Sequence, residues 1–171
     1  MKIIIAALKQ QHNRVCQIAI WDTPNSLLKK VAVIKTPFPA LTRLMLTSTD
    51  ESAPVLDSFL EGSAPRLQSL QLIGIPFLAL RKLLLSTRHL SGLRLDNIPR
   101  SGYISPDALV TGLSGLTRLE LFYLIFQSPR SRAARQTRVP PSRTRVVLPS
   151  LARLVFKARG GRTGIPGPGV R

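Results

Sequence analysis

Cysteine and aromatic residues are both scarce in this sequence. Cys16 is the only cysteine, so no intrachain disulfide can form, which excludes the disulfide-stabilised scaffolds of small secreted proteins. Aromatic residues make up 5% of the chain, whereas 44% of its 171 residues are hydrophobic. The chain is therefore long enough for one domain with a core, and that core must consist mostly of leucine, isoleucine, valine and alanine.

Acidic residues are absent after position 120. All eight lie in residues 1–121, where 14 lysines and arginines leave a net charge of +6, whereas residues 122–171 carry 11 basic residues and no acid. The formal net charge of +17 is therefore concentrated towards the last third of the chain. This distribution predicts a mildly basic body followed by a strongly basic last third.

Long apolar runs are missing near the amino terminus. The run at residues 3–8 has six residues and ends at Lys9 without the small-residue pattern of a signal-peptide cleavage site. A membrane-spanning helix needs about 20 apolar residues. The sequence therefore predicts an intracellular protein, cytoplasmic or nuclear, that does not bind a membrane.

A recurrent LxxLxL pattern runs through the chain. Six segments carry an apolar residue at its first, fourth and sixth places, and their first members are 26, 26, 23, 26 and 35 residues apart. Four of these intervals fall within the roughly 20–29 residues of a leucine-rich repeat. The segments are VCQIAI (15–20), LTRLML (41–46), LQSLQL (67–72), LSGLRL (90–95), LTRLEL (116–121) and LARLVF (151–156).

This pattern predicts an α/β fold, an irregular leucine-rich repeat solenoid. Each match is expected to form a short parallel strand on the concave face, because stacked neighbours bury leucines that one strand cannot cover alone. Helices or turns are predicted on the convex face at 4–11, 26–35, 52–60, 76–87 and 105–113. A mixed α/β domain without repeats is the alternative interpretation.

Two basic segments interrupt and follow the predicted repeats. Residues 127–147 contain six arginines, three prolines and no acid, which predicts a disordered loop between the repeats of 1–126 and a last repeat strand in 148–159. The tail, 160–171, is rich in glycine, proline and arginine and is predicted to be disordered. Such a tail cannot form the capping repeat that a solenoid normally needs.

Motifs of catalysis and metal binding are absent from the sequence. None of the patterns typical of phosphate-binding loops, dinucleotide sites, metalloproteases, serine hydrolases or CxxC sites occurs. His12 and Cys16 lie four residues apart at the start of a predicted strand, a spacing that does not favour a thiol–imidazole pair. We therefore expect no enzyme activity and no cofactor.

The third, fifth and seventh places of the matches are expected on the concave face. Large apolar side chains and arginine recur there, and aromatic residues and arginine are enriched at binding hot spots. The candidate protein-binding residues are Trp21, Arg43, Met45, Ile73, Arg94, Arg118, Glu120, Phe122 and Arg153.

The arginines of residues 127–147 support an alternative function. They are able to neutralise phosphates and so to bind nucleic acid weakly and without sequence preference, although no aromatic residues lie among them to stack on bases. These candidate polyanion-binding residues are Arg130, Arg132, Arg135, Arg138, Arg143 and Arg145.

Several stretches together resemble the leucine-rich repeat region of fungal F-box-like proteins, an expanded family in mushroom-forming fungi. The resemblance covers about residues 4–157 and is carried by HNRVCQIAIWDTPNSLLKK (12–30), PFPALTRLML (37–46), SFLEGSAPRLQSLQL (58–72), SGYISPDALVTGLSGLTRLEL (101–121) and FQSPRSR (126–132). It implies a non-enzymatic scaffold that binds a protein target of unknown identity, as the substrate-recognition part of a ubiquitin-ligase adaptor. Because the resemblance begins inside the repeat region, the Skp1 subunit is expected as a partner only if an F-box lies upstream of this chain.

Overall fold

Six parallel strands form one sheet in the computed structural model, which describes residues 6–8, 10–50, 64–76, 80–102, 104–127 and 146–158. The strands are β1 (Gln17–Ile20), β2 (Arg43–Thr47), β3 (Ser69–Ile73), β4 (Gly92–Ile98), β5 (Leu121–Phe126) and β6 (Arg153–Ala158). Their order in the sheet follows their order in the chain, and each neighbouring pair is parallel. The predicted α/β class with parallel strands is therefore confirmed.

Short helices connect several of the strands. They are α1 (Asn25–Ala32), α2 (Leu80–Ser86) and α3 (Pro106–Leu113), and a 3-10 turn at Arg100–Gly102 precedes the last of them. The helix α3 begins where its sequence predicts, because the Ser105 side chain accepts a hydrogen bond from the Ala108 N–H at 3.2 Å. Residues 6–8 and 10 are also helical, while the predicted helix at 52–60 lies outside the described residues.

One face of the sheet is apolar and forms the core with the helices. Alternate residues of each strand from β1 to β5 point to this side, and the helices contribute leucines such as Leu28 and Leu84. Each fully buried leucine stabilises the fold by about 1.5–3 kcal/mol relative to an exposed one. The buried strand residues are Ile18, Leu44, Leu46, Leu70, Leu72, Leu93, Leu95, Ile98, Phe122 and Leu124.

The backbone repeats the same hydrogen-bond arrangement before successive strands. The Cys16 carbonyl accepts from the N–H groups of both Thr42 and Arg43, at 2.8 and 3.2 Å. Further along, the Glu120 carbonyl accepts from Ala152 and Arg153 at 2.9 Å. The acceptors in this series are Cys16, Thr42, Gln68, Ser91 and Glu120. Each of the strands β2 to β6 therefore begins with the same hydrogen bonds to the preceding strand's side of the sheet.

The predicted register of the fifth unit is wrong by three residues. The sequence pattern placed Leu121 in the core and Phe122 on the opposite face. In the sheet Phe122 lies beside the buried Leu93 and is 6% exposed, whereas Leu121 is 38% exposed. The overlapping segment LELFYL (119–124) has the same spacing and is the true match. This register buries the larger aromatic ring, which removes more apolar surface from water.

The two ends of the sheet are covered differently. Beside β1, Ile18 is 4% exposed and Leu8 packs against the core from the amino-terminal helical segment. At β6, Leu154 and Phe156 lie in register with the core residues of β5 but are 59% and 64% exposed. Within the described part of the chain, the last apolar layer is therefore largely uncovered.

Candidate functional site

The second face of the sheet carries exposed or half-buried side chains, and we call it the open face. Its residues form rows across the strands because the sheet register aligns them. The first row is Gln17, Arg43, Ser69, Gly92, Leu121 and Arg153. The second row is Ala19, Met45, Gln71, Arg94, Tyr123 and Val155. The third row has two parts, Thr47, Ile73 and Asp96 on β2 to β4 and Ile125 and Lys157 on β5 and β6, because the register between β4 and β5 shifts after Leu95.

Arg94 occupies the middle of the open face and is held by two neighbours. Its Nη2 donates a hydrogen bond to Asp96 Oδ2 at 2.8 Å, and its Cζ lies 4.7 Å from the centroid of the Tyr123 ring. A charge-assisted hydrogen bond and a cation–π contact together restrict the rotamers of a long side chain. Because the Arg94 side chain is still 40% exposed, its guanidinium group is oriented and accessible at the same time.

Arg94 also retains unsatisfied hydrogen-bonding capacity. Its Nε is buried and has no hydrogen-bond acceptor among the described residues. A buried donor without an acceptor destabilises a protein by about 1–3 kcal/mol. The buried Nε itself is out of reach of a bound partner, whereas the exposed part of the guanidinium group is available to a partner's acceptor.

The open face is positively charged. Four basic side chains lie on this side of the sheet, namely Arg43, Arg94, Arg153 and Lys157. Among the described strand residues of the open face, one carries a carboxylate, Asp96. Arg43, Arg153 and Lys157 are exposed. A partner with negative charge is favoured by this arrangement.

Most of the sequence-predicted binding residues lie on or beside the open face. The residues within its rows are Arg43, Met45, Ile73, Arg94 and Arg153. Trp21 directly follows β1 and is 63% exposed, a large fraction for an indole ring. The structure therefore brings these six together along one side of the sheet.

Three predicted binding residues do not lie on the open face. Phe122 belongs to the core, and Arg118 and Glu120 precede β5 at the amino ends of the strands. The register shift of the fifth unit is the reason. Tyr123 takes the second-row position predicted for Glu120, and sequence reasoning missed it. The sequence did contain this signal, because LELFYL overlaps LTRLEL and also has apolar residues at its first, fourth and sixth places, with Phe122 at the fourth.

A polar groove of about 440 Å³ lies at the amino ends of the strands. Arg118 Nη1 is 3.3 Å from His89 Nδ1 within it. The Ser91 and Ser150 hydroxyl groups donate to backbone carbonyls at 3.2 and 2.8 Å, so they serve the turns that join the repeated units. The lining residues are Gln68, His89, Ser91, Arg118, Glu120 and Ser150.

The predicted polyanion-binding residues lie outside the described residues, so the structure gives no geometry for them. They are Arg130, Arg132, Arg135, Arg138, Arg143 and Arg145.

The residues of the rejected thiol–imidazole pair have other contacts. The His12 ring meets Phe38 edge-on with centroids 6.5 Å apart, and Cys16 Sγ donates to the Arg14 carbonyl at 3.4 Å.

The described part of the chain contains neither a cluster of metal-binding side chains nor a membrane-spanning helix. No group of three or more histidine, cysteine, aspartate or glutamate residues is placed there to hold a metal ion. None of the helices described above is long and apolar enough to cross a membrane.

Comparison of the chain with protein families, curated proteins and solved structures gave no match. Function must therefore be argued from the open face itself.

Proposed function

We propose that the chain is a leucine-rich repeat solenoid that binds another protein through its open face. The repeat interpretation is supported by the LxxLxL core positions and by the paired N–H groups that return to one carbonyl in successive units. Sequential parallel strands with short helical connections are what such a solenoid requires. Repeat proteins of this kind use an extended surface across several units for binding.

Arg94 and its two neighbours carry the binding proposal. Arginine and tyrosine are enriched at binding hot spots, and their contributions are largest where the side chain is already ordered before the partner arrives. Arg94 meets this condition because Asp96 and Tyr123 hold it from two directions. Half-buried Met45 and Ile73 on neighbouring strands supply apolar surface near this anchor.

The resemblance to fungal F-box-like proteins extends the proposal to substrate recognition for a ubiquitin ligase. In that role the open face holds the substrate, and contact with Skp1 requires an F-box upstream of this chain. The proposed activity is binding alone, with no enzyme reaction and no cofactor. The intracellular location expected from the sequence agrees with such a role.

Selection of peptides displayed on phage tests whether the open face is the binding surface. The intact chain serves as the target, and selected peptides are measured against the variants Arg94→Gln and Met45→Ser. We expect both variants to weaken binding, by about tenfold for Arg94→Gln, because a central pre-oriented arginine is lost. Arg81→Gln on the exposed surface of α2 removes the same charge away from the open face and is expected to have no effect.

The proposal would be overturned if the selected peptides bound the open-face variants with unchanged affinity. Binding that disappears instead on deletion of residues 127–147 would favour the alternative, a basic protein that binds nucleic acid or other polyanions through 127–171. That alternative also predicts a steep loss of affinity as salt is raised, because bound phosphates release counterions.

A further inference from the structure

We propose that the open face receives an extended acidic segment of its partner, which crosses the sheet diagonally from Arg43 over Arg94 to Lys157. This inference rests on the proposed protein-binding function and names the chemistry of the partner. It is carried by the positions of the three cations in the sheet register and by the residues between them.

The three cations lie on a straight diagonal with equal steps. Arg43 is in the first row on β2, Arg94 in the second row on β4, and Lys157 in the third row on β6. Each step therefore crosses two strands and advances two residues. With strands about 4.8 Å apart and a rise of about 3.3 Å per residue, each step spans roughly 12 Å.

This spacing fits an extended polypeptide. A step of roughly 12 Å corresponds to three or four residues of extended chain at about 3.3 Å per residue. A segment with acidic residues at every fourth position therefore meets one cation with each of them. A helix rises only about 1.5 Å per residue and would need eight residues for the same step.

Arg94, in the middle of the diagonal, favours contact with one carboxylate of the partner rather than with several adjacent ones. Arg94 is already paired with Asp96, whose side chain is only 19% exposed. One additional carboxylate shares the guanidinium group with Asp96, whereas a dense row of negative charges is repelled by this fixed carboxylate. The pairing therefore selects spaced acidic residues rather than high charge density.

The residues between the cations differ along the diagonal. Ser69 and Gln71 lie between Arg43 and Arg94, so the first interval of the segment meets a polar surface. Tyr123 and Ile125 lie on β5 in the second interval, where the surface is largely apolar. The bound segment is therefore expected to carry an apolar residue between its second and third acidic residues.

Nucleic acid fits the same face poorly. A duplex carries one phosphate per 3.4 Å on each strand, which is far denser than one charge per step of the diagonal. Single strands bind by stacking bases on aromatic rings. Among the described residues in the three rows, Tyr123 has the aromatic ring. The Arg94 guanidinium group lies over one face of this ring, so a base cannot stack on that face.

Fluorescence anisotropy with synthetic peptides tests the inference on the intact chain. The probe peptide carries three glutamates, each separated by three residues, with a leucine in the second interval. The matched control has the same composition with its glutamates adjacent. We expect the probe to bind about tenfold more tightly than the control, and the preference to fall in Arg43→Gln, Arg94→Gln and Lys157→Gln but not in Arg81→Gln.

Three results would overturn the inference. They are equal affinity for the two peptides, an equal effect of Arg81→Gln, and tighter binding of an oligouridylate that depends on the same three cations. Phage-selected peptides separate this inference from the proposed function on which it rests. If they map to the open face but lack spaced acidic residues, protein binding stands and only the acidic partner is wrong.

Discussion

At the scale of single residues, Gly74 is fixed by the backbone around it. It directly follows β3, has a φ of 69°, and donates its N–H to the Asp96 carbonyl at 2.9 Å. A Cβ atom at this position would overlap the carbonyl oxygen of Ser48. Both the left-handed conformation and the close approach of the neighbouring unit therefore require glycine.

Replacement of this glycine tests the close approach between units. We expect Gly74→Ala to lower the free energy of unfolding by about 2 kcal/mol or more, because a positive φ alone costs about 1–2 kcal/mol and the overlap adds to it. The control is Gly115→Ala, where an added Cβ meets no atom within 4 Å. Urea denaturation followed by circular dichroism measures both, and equal midpoints for the two variants would contradict the assigned backbone geometry.

At the scale of elements, the register of strand β5 is set by side-chain packing and differs from the register that the LxxLxL pattern predicts. The segment LTRLELFYLIF contains three overlapping matches with apolar residues at the first, fourth and sixth places, beginning at residues 116, 119 and 121, so the spacing of apolar residues alone does not fix the register. Because side chains alternate between faces, the choice decides which residues enter the core. Burial of Phe122 beside Leu93 selects the second register and carries Tyr123 to the open face.

Alanine substitutions at the adjacent residues Leu121 and Phe122 distinguish the register predicted from the sequence from the observed one. We expect Phe122→Ala to lower the free energy of unfolding by about 3–5 kcal/mol, because it leaves a cavity in the core. Leu121→Ala should cost less than about 1.5 kcal/mol, since this side chain is 38% exposed on the open face. The register predicted from the sequence reverses this order, so equilibrium denaturation of the two variants decides between them.

Most of the fold could be predicted at this scale, but its details depend on packing. The strand positions of the first four units and the cap of α3 follow from leucine spacing and from Ser105 before Pro106. The Arg94 anchor could be predicted only in part. Its place on the open face follows from the pattern, whereas its contacts with Asp96 and Tyr123 depend on the packing of β4 against β5.

At the scale of the whole molecule, the sheet has unequal ends. Core residues of the inner strands are covered on both sides by equivalent residues of their neighbours. Leu154 and Phe156 on β6 have such neighbours on one side and are more than half exposed. In the proposed repeat fold, stability comes from each unit and its interfaces with the next, so we expect the terminal unit with its uncovered layer to be the least stable.

Amide hydrogen exchange measures this gradient. We expect amides of β6 that bond to β5 to exchange faster than equivalent amides of β3, because local opening of the last unit exposes little further apolar surface. Strand β1 should be better protected than β6, since Ile18 is buried whereas Leu154 and Phe156 are more than half exposed. Uniform protection from β2 to β6 would indicate that the last unit is covered as well as the inner ones.

The periodic core, the parallel strands and the arginines of the open face could be predicted from the order of residues along the chain. These features depend on residue type and spacing, which repeat along the chain and need no knowledge of distant contacts. The register of β5, the contacts that hold Arg94 and the diagonal of Arg43, Arg94 and Lys157 became visible only in three dimensions. The physical reason is that each of these depends on how a strand is aligned with its neighbour. Alignment follows from the side chains that bury best across the interface.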